Sequence, residues 1–148
     1  MKRNILFTLL AALVILGSTF GLVAQASAQE VTLYKNPQCG CCEGYAKYLR
    51  ENGFKVTVKP THELVAMSRE AGLPDDFQGC HLSLIDGYFV SGHVPVATVN
   101  KLLAEQPAIK GITFPDMPQG SPGMTGVKTK PFTIYSVGHG TPQVYAVE

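Results

Sequence analysis

An α/β fold is predicted, and three observations predict it. Short apolar stretches at Val31–Tyr34, Lys55–Lys59, His81–Ile85 and Tyr88–Ser91 are interleaved with segments of helical periodicity. The first two are joined by a mid-length helical crossover, which implies a parallel pair. The last two flank Asp86-Gly87, a dipeptide that favours the type I′ turn of a tight hairpin.

The elements follow in chain order. Val31–Tyr34 is short and weakly alternating, as a buried first strand would be. Pro37 blocks its continuation and sets up entry to a helix near Cys41 or Cys42, with its body over Glu43–Asn52. There Tyr45, Ala46, Tyr48 and Leu49 share one face, Glu43, Lys47, Arg50 and Glu51 take the other, and Gly53 closes the helix. Lys55–Lys59 alternates cleanly as a second strand. Pro60 and Thr61 end it and cap a second helix through about Ala71, with Leu64, Val65 and Met67 as its apolar face and Gly72 as its stop. The loop from Leu73 to Gly79 then delivers Cys80 and His81 to the hairpin. Gly92-His93-Val94-Pro95 turns the chain into a third helix carrying Val96, Val99, Leu102 and Leu103, which ends before Pro107. The order β-α-β-α-β-β-α is that of a thioredoxin-like domain, with two or three layers according to how the helices distribute. From Gly111 the density of Pro and Gly predicts irregular chain as far as Lys130, a Met/Pro/Gly loop holding Met117 and Met124. Phe132–Val137 and Gln143–Val147 read as a terminal hairpin.

The first residues have a separate meaning. Lys2 and Arg3 precede an apolar run over Ile5–Leu16, and Ala26-Ser27-Ala28 is a small-x-small cleavage site, so residues 1–28 read as a secretory signal peptide. An uncleaved membrane anchor is the alternative, since Ile5–Val23 is nearly long enough to span a bilayer. Either way the body is expected outside the cytoplasm, in a bacterial cell the periplasm. The expected organisation is therefore a leader at 1–28, one thioredoxin-like domain with its Met loop at 29–128, and a hairpin extension at 129–148. Removing the leader takes away two basic and no acidic residues, and the formal charge falls from +1 to about −1. No basic field remains to attract nucleic acid or anionic lipid, and no stable membrane span is expected after cleavage.

The chemistry concentrates at Asn36-Pro37-Gln38-Cys39-Gly40-Cys41-Cys42, where three of the four cysteines fall within four residues at a helix start. Unpaired backbone N–H groups and the positive end of the helix dipole favour the thiolate there, which is both nucleophile and soft-metal ligand. If the fold is right, its topology brings Cys80 and His81 beside Cys39, Cys41 and Cys42. Structural disulfides would leave Cys41 and Cys42 as neighbours, and adjacent cysteines bridge each other only through strained geometry. Zinc knuckles use other spacings. Copper(I) accepts two or three soft sulfur donors and fits best. Adjacent side chains point in divergent directions, so Cys41 and Cys42 are expected to serve more than one copper(I). Met117 and Met124 lie outside any apolar periodicity, which favours thioether ligands over core filler. His81 is a ligand candidate through its adjacency to Cys80. For His93 a structural hydrogen bond is the stronger expectation, and His62 and His139 are expected in solvent. The rival reading is a thiol–disulfide oxidoreductase, with Cys39 as attacking and Cys42 as resolving thiol.

Five separated motifs then carry a resemblance: the Asn36–Cys42 stretch, Gly79-Cys80-His81, Asp86-Gly87-Tyr88, Gly92–Pro95, and Met117-Pro118-Gln119-Gly120-Ser121-Pro122-Gly123-Met124. Together, from about Val31 to Met124, they resemble the CopG-type periplasmic copper-resistance proteins. The resemblance implies a thioredoxin-like fold, a copper site on Cys39, Cys41, Cys42 and Cys80, and a role in bacterial copper homeostasis among other periplasmic copper-handling proteins. Asp116 departs from the family pattern, which more often has Gly before the Met-Pro pair. The hairpin after Lys130 is not carried over from the family. The combined expectation is sequestration of copper(I), with a change of copper oxidation state on loading or unloading.

Overall fold

The computed structural model describes residues 28–148, so the leader expected at 1–28 falls, apart from Ala28, outside the described residues. Its elements are β1 (Glu30–Lys35), α1 (Gly40–Glu51), β2 (Lys55–Pro60), α2 (Leu64–Glu70), a single 3₁₀ turn (Asp75–Phe77), β3 (His81–Ile85), β4 (Tyr88–Ser91), α3 (Val96–Glu105), β5 (Gly111–Thr113), β6 (Thr133–Val137) and β7 (Gln143–Val147). They build one seven-stranded mixed sheet in the order β2-β1-β3-β4-β5-β6-β7. The pairs β1/β2 and β4/β5 are parallel, and the other neighbours are antiparallel.

Strand alternation sorts the core onto two faces. Val31, Leu33, Ile85, Val90, Ile112 and Ile134 meet Tyr45, Ala46 and Leu49 of α1 and Val99 and Leu102 of α3. Leu82, Phe89 and Val137, from positions of opposite parity, meet Leu73 and the partly buried Leu64 and Met67 of α2. The helices therefore lie on both faces, and the molecule has three layers. The predicted hairpin forms with Asp86 and Gly87 both at positive φ, 46° and 80°, as its turn requires. The terminal hairpin also forms, and β6 joins it to the same sheet through β5.

Three expectations are corrected. The irregular stretch expected from Gly111 begins with β5 instead, because a three-residue strand is too short to show alternation and is held by its pairing with β4 and β6. Helix α1 starts at Gly40, ahead of Cys41, with Cys39 as an extended N-cap that makes no side-chain cap bond. Gly and Cys propensities are poor signals for a first helical turn. Val65 of α2 is 51% exposed, while Leu64 and Met67 carry the packing. Seven residues leave room for only one narrow stripe.

The loop from Phe114 to Lys130 folds back onto α1. A Cβ on Gly44 would collide with the Gly123 carbonyl, and one on Gly123 would lie 2.5 Å from the Tyr45 nitrogen. Only two glycines let the helix and the loop touch backbone to backbone. That contact fixes the loop beside the cysteines.

Candidate metal centre

The cysteine loop is built by local bonds. Asn36 Oδ1 accepts from the Gln38 N–H at 3.0 Å, and the Asn36 carbonyl accepts from the Cys39 N–H at 2.9 Å, a side-chain turn and a backbone turn in succession. Helix α1 then places Cys41 in solvent and Cys42 in the core. Cys39 and Cys42 are joined by a disulfide, whereas Cys41 and Cys80 are free. The pairing is the one expected of a C-x-x-C redox motif.

Cys80, just before β3, is the hub. Its Sγ lies 3.4 Å from Cys42 Sγ and 4.0 Å from Cys41 Sγ, and Cys41 Sγ is 3.4 Å from Cys39 Sγ. The distant sulfur thus meets the N-proximal trio. Met117 brings its Sδ to 3.5 Å from Cys80, His93 its Nε2 to 3.2 Å and His81 its Nδ1 to 3.7 Å. Met124 sits further along the same loop, half-buried, with its N–H on the Ser121 carbonyl. Of the loop's two methionines, Met117 is the one that reaches Cys80. His62 and His139 are exposed, as expected.

Two donor sets could each hold a metal ion, with ligand atoms all within 4.8 Å of one another: Cys39, Cys41, Cys42 and Cys80, and Cys42, Cys80, His81 and His93. The electrostatics suit a cation. Burial, and secondarily Cys41, push the Cys80 thiol up to about 12, so only a nearby positive charge would make it a thiolate near neutrality. Burial first and His93 second bring His81 down to about 3, and burial lowers His93 against an opposing bond to Pro122. Both rings are therefore neutral and keep a lone pair. The His93 Nδ1–H donates to the Pro122 carbonyl at 2.7 Å, which leaves Nε2 as the lone-pair nitrogen facing Cys80. His81 Nε2 is buried without a partner. A fully buried Tyr45 packs against both rings, at 4.7 and 5.0 Å between centroids, with its hydroxyl donated to Val94 O at 2.9 Å.

Sequence reasoning underrated His93, which makes the expected structural hydrogen bond and also faces the hub. The signal was its place two residues past β4, the hairpin partner of the strand that begins with His81. It also passed over Lys35, a buried cation beneath the cysteine loop. Alternation from Val31 and Leu33 would have set Lys35 inward.

The family model described as a protein of unknown function, DUF411, matches residues 77–124. None of the curated proteins matches the chain. Two solved structures, named "Copper resistance protein copG- Form 1" and "Copper resistance protein copG- Form 2", resemble it at a TM-score of 0.75 and 35% identity, over 82% of this chain and 98% of theirs.

Proposed function

The chain belongs to the CopG family of copper resistance proteins, and from that premise we propose that it is a periplasmic protein that binds copper(I) at a multinuclear thiolate site. One observation carries the reading: Cys80 closes on Cys41 and Cys42 at 3.4–4.0 Å, with a thioether and two neutral imidazoles around it. That donor set is soft and suits a cuprous ion. Cys39, Cys41, Cys42 and Cys80 are the proposed sulfur ligands, with Met117 and His81 beside them and Met124 as the outer thioether. His93 Nε2 joins them by its distance to Cys80. Cys41 faces solvent and Cys42 the core, which supports service to different ions. Four thiolates would carry four negative charges, so several monovalent ions offset them better than one.

The binding form is the dithiol. The Cys39–Cys42 bond must first take up two electrons and two protons from an external thiol reductant, because only the thiolate ligates. The leader at residues 1–28 and the periplasmic address belong to this proposal, as does a thioredoxin-like description of the first four strands and the helices that flank them. Anaerobic titration of the reduced protein with copper(I), read by elemental analysis beside a free-thiol count, tests the reading. More than one ion per chain is expected. A single equivalent at saturation would sink the multinuclear site, and no binding would sink the copper reading.

The Cys39–Cys42 disulfide favours a second reading, a thiol–disulfide oxidoreductase. The substitution Cys41→Ser separates the two. Exchange with a dithiol should survive it, whereas copper capacity should fall.

A further inference from the structure

Lys35 ends β1 at an inward position, following the buried Val31 and Leu33, and is itself only 3% exposed. An apolar side chain would be the ordinary occupant of that parity. A buried ammonium is costly unless its donors are met, and here they are met in one particular way. Nζ donates to the carbonyls of Asn36, Pro37 and Cys39 at 3.3, 3.3 and 3.2 Å, and lies 3.2 Å from Glu43 Oε1. The loop that carries the cysteines is thus wrapped around one cation, and three of its carbonyls converge on a single point.

We propose that Lys35 is the positioning residue of the sulfur site, holding the Asn36–Cys39 backbone in register and supplying a fixed positive charge beneath the loop that carries the cysteines. The inference rests on the copper(I) reading above. It follows from two features of the geometry. The three carbonyls fix the peptide that sets the direction of Cys39 and the first turn of α1. The charge is fixed within the fold, where solvent screens it less than it would a surface lysine. Its carboxylate partner differs: the Glu43 side chain is 55% exposed, so Glu43 tempers the lysine's charge from the solvent side. Lys35 has no lone pair while protonated and is no ligand. It therefore sets affinity and leaves the number of ions alone.

The test compares Lys35→Met, Lys35→Arg and Glu43→Gln in the full chain, each reduced anaerobically. Cuprous affinity is read by competition with a chromogenic copper(I) chelator, with stoichiometry and thermal midpoint alongside. Lys35→Met should weaken affinity at least tenfold with unchanged stoichiometry. Lys35→Arg should restore it to within about threefold. Glu43→Gln should tighten it, because an unneutralised Lys35 is a stronger counter-charge. A merely structural role predicts the opposite sign for Glu43→Gln, since losing the ion pair would loosen the loop. Weaker binding by Glu43→Gln, or Lys35→Met within twofold of the parent, overturns the proposal. Should Lys35→Met not fold, the sign of the Glu43→Gln effect decides. If the parent chain itself takes up no copper(I), it is the copper reading that has failed, and the two failures are distinguishable.

Discussion

Replacing Gly123 by Ala should disconnect the Met loop from the sulfur site while leaving the domain folded. Gly123 has φ +73°, and an added Cβ would lie 2.5 Å from the Tyr45 nitrogen and 2.6 Å from the Gly44 carbonyl oxygen. The left-handed conformation costs a side chain about 1–2 kcal/mol, and forcing a methyl into packed backbone about 1–3 kcal/mol more. Against this strain the neighbouring loop offers the Pro122–His93 bond and the Ser121 and Met124 turns, each worth about 1 kcal/mol. The strain, about 2–5 kcal/mol, is of the same size as the roughly 3 kcal/mol that holds the segment down. Lifting the loop is also cheaper than unfolding a domain whose net stability is on the order of 5–15 kcal/mol. Lifting the loop forfeits about 3 kcal/mol, so the thermal midpoint should fall by roughly 10 °C, at about 3–4 °C per kcal/mol in a domain of this size. Under the copper(I) reading, affinity should fall at least tenfold, since Met117 leaves Cys80 and His93 loses the carbonyl that aims its ring. Chelator competition and a melting curve on the same sample make the measurement. Parent-like affinity with a depressed midpoint would refute the reasoning, because it would mean that the loop contributes packing and nothing to the site.

Other outcomes follow from burial. Leu102→Ala should destabilise by about 2–5 kcal/mol, read from the denaturant midpoint, because Leu102 is fully buried between α3 and the sheet. Ser83→Ala should stabilise by roughly 1 kcal/mol, since the Ser83 hydroxyl is buried without a partner beside a cavity of about 10 Å³ lined by Val31, Tyr45, Leu49 and Val90. Equilibrium unfolding that shows a loss instead would point to a hydroxyl bond this geometry lacks. Alkylation at pH 8 without reductant should mark Cys41, which is exposed, far ahead of Cys80. Burial pushes the Cys80 thiol up and so keeps it in the unreactive protonated form at that pH. Peptide mapping of the labelled protein checks the order.

What could be read from the residues was mostly what periodicity and turn chemistry encode. The β3/β4 hairpin is bounded as expected because Asp86-Gly87 names its own turn, and α3 because Val96, Val99, Leu102 and Leu103 repeat at helical spacing. The meeting of Cys80 with the N-proximal cysteines was legible only through the expected topology, which set the two loops side by side. Three things escaped. Strand β5 owes its existence to neighbours on both sides and has no pattern of its own. The inward lysine looked like an ordinary strand-end charge, because its partners are backbone carbonyls, which no sequence displays. The start of α1 at Gly40 lies earlier than propensity implies, although the Cys39–Cys42 pairing that this turn makes was already legible as the C-x-x-C of the rival reading.

Neighbouring positions on a helix differ by about 100° in direction, and at Cys41 and Cys42 this small rotation divides outside from inside. The first sulfur can be touched from solvent, whereas the second is covered by the core. Under the copper reading such an arrangement has a threshold and an interior: cargo would be accepted at the rim, handed inward through Cys80, and shielded there from bulk oxidants until a recipient presented itself at the same doorway.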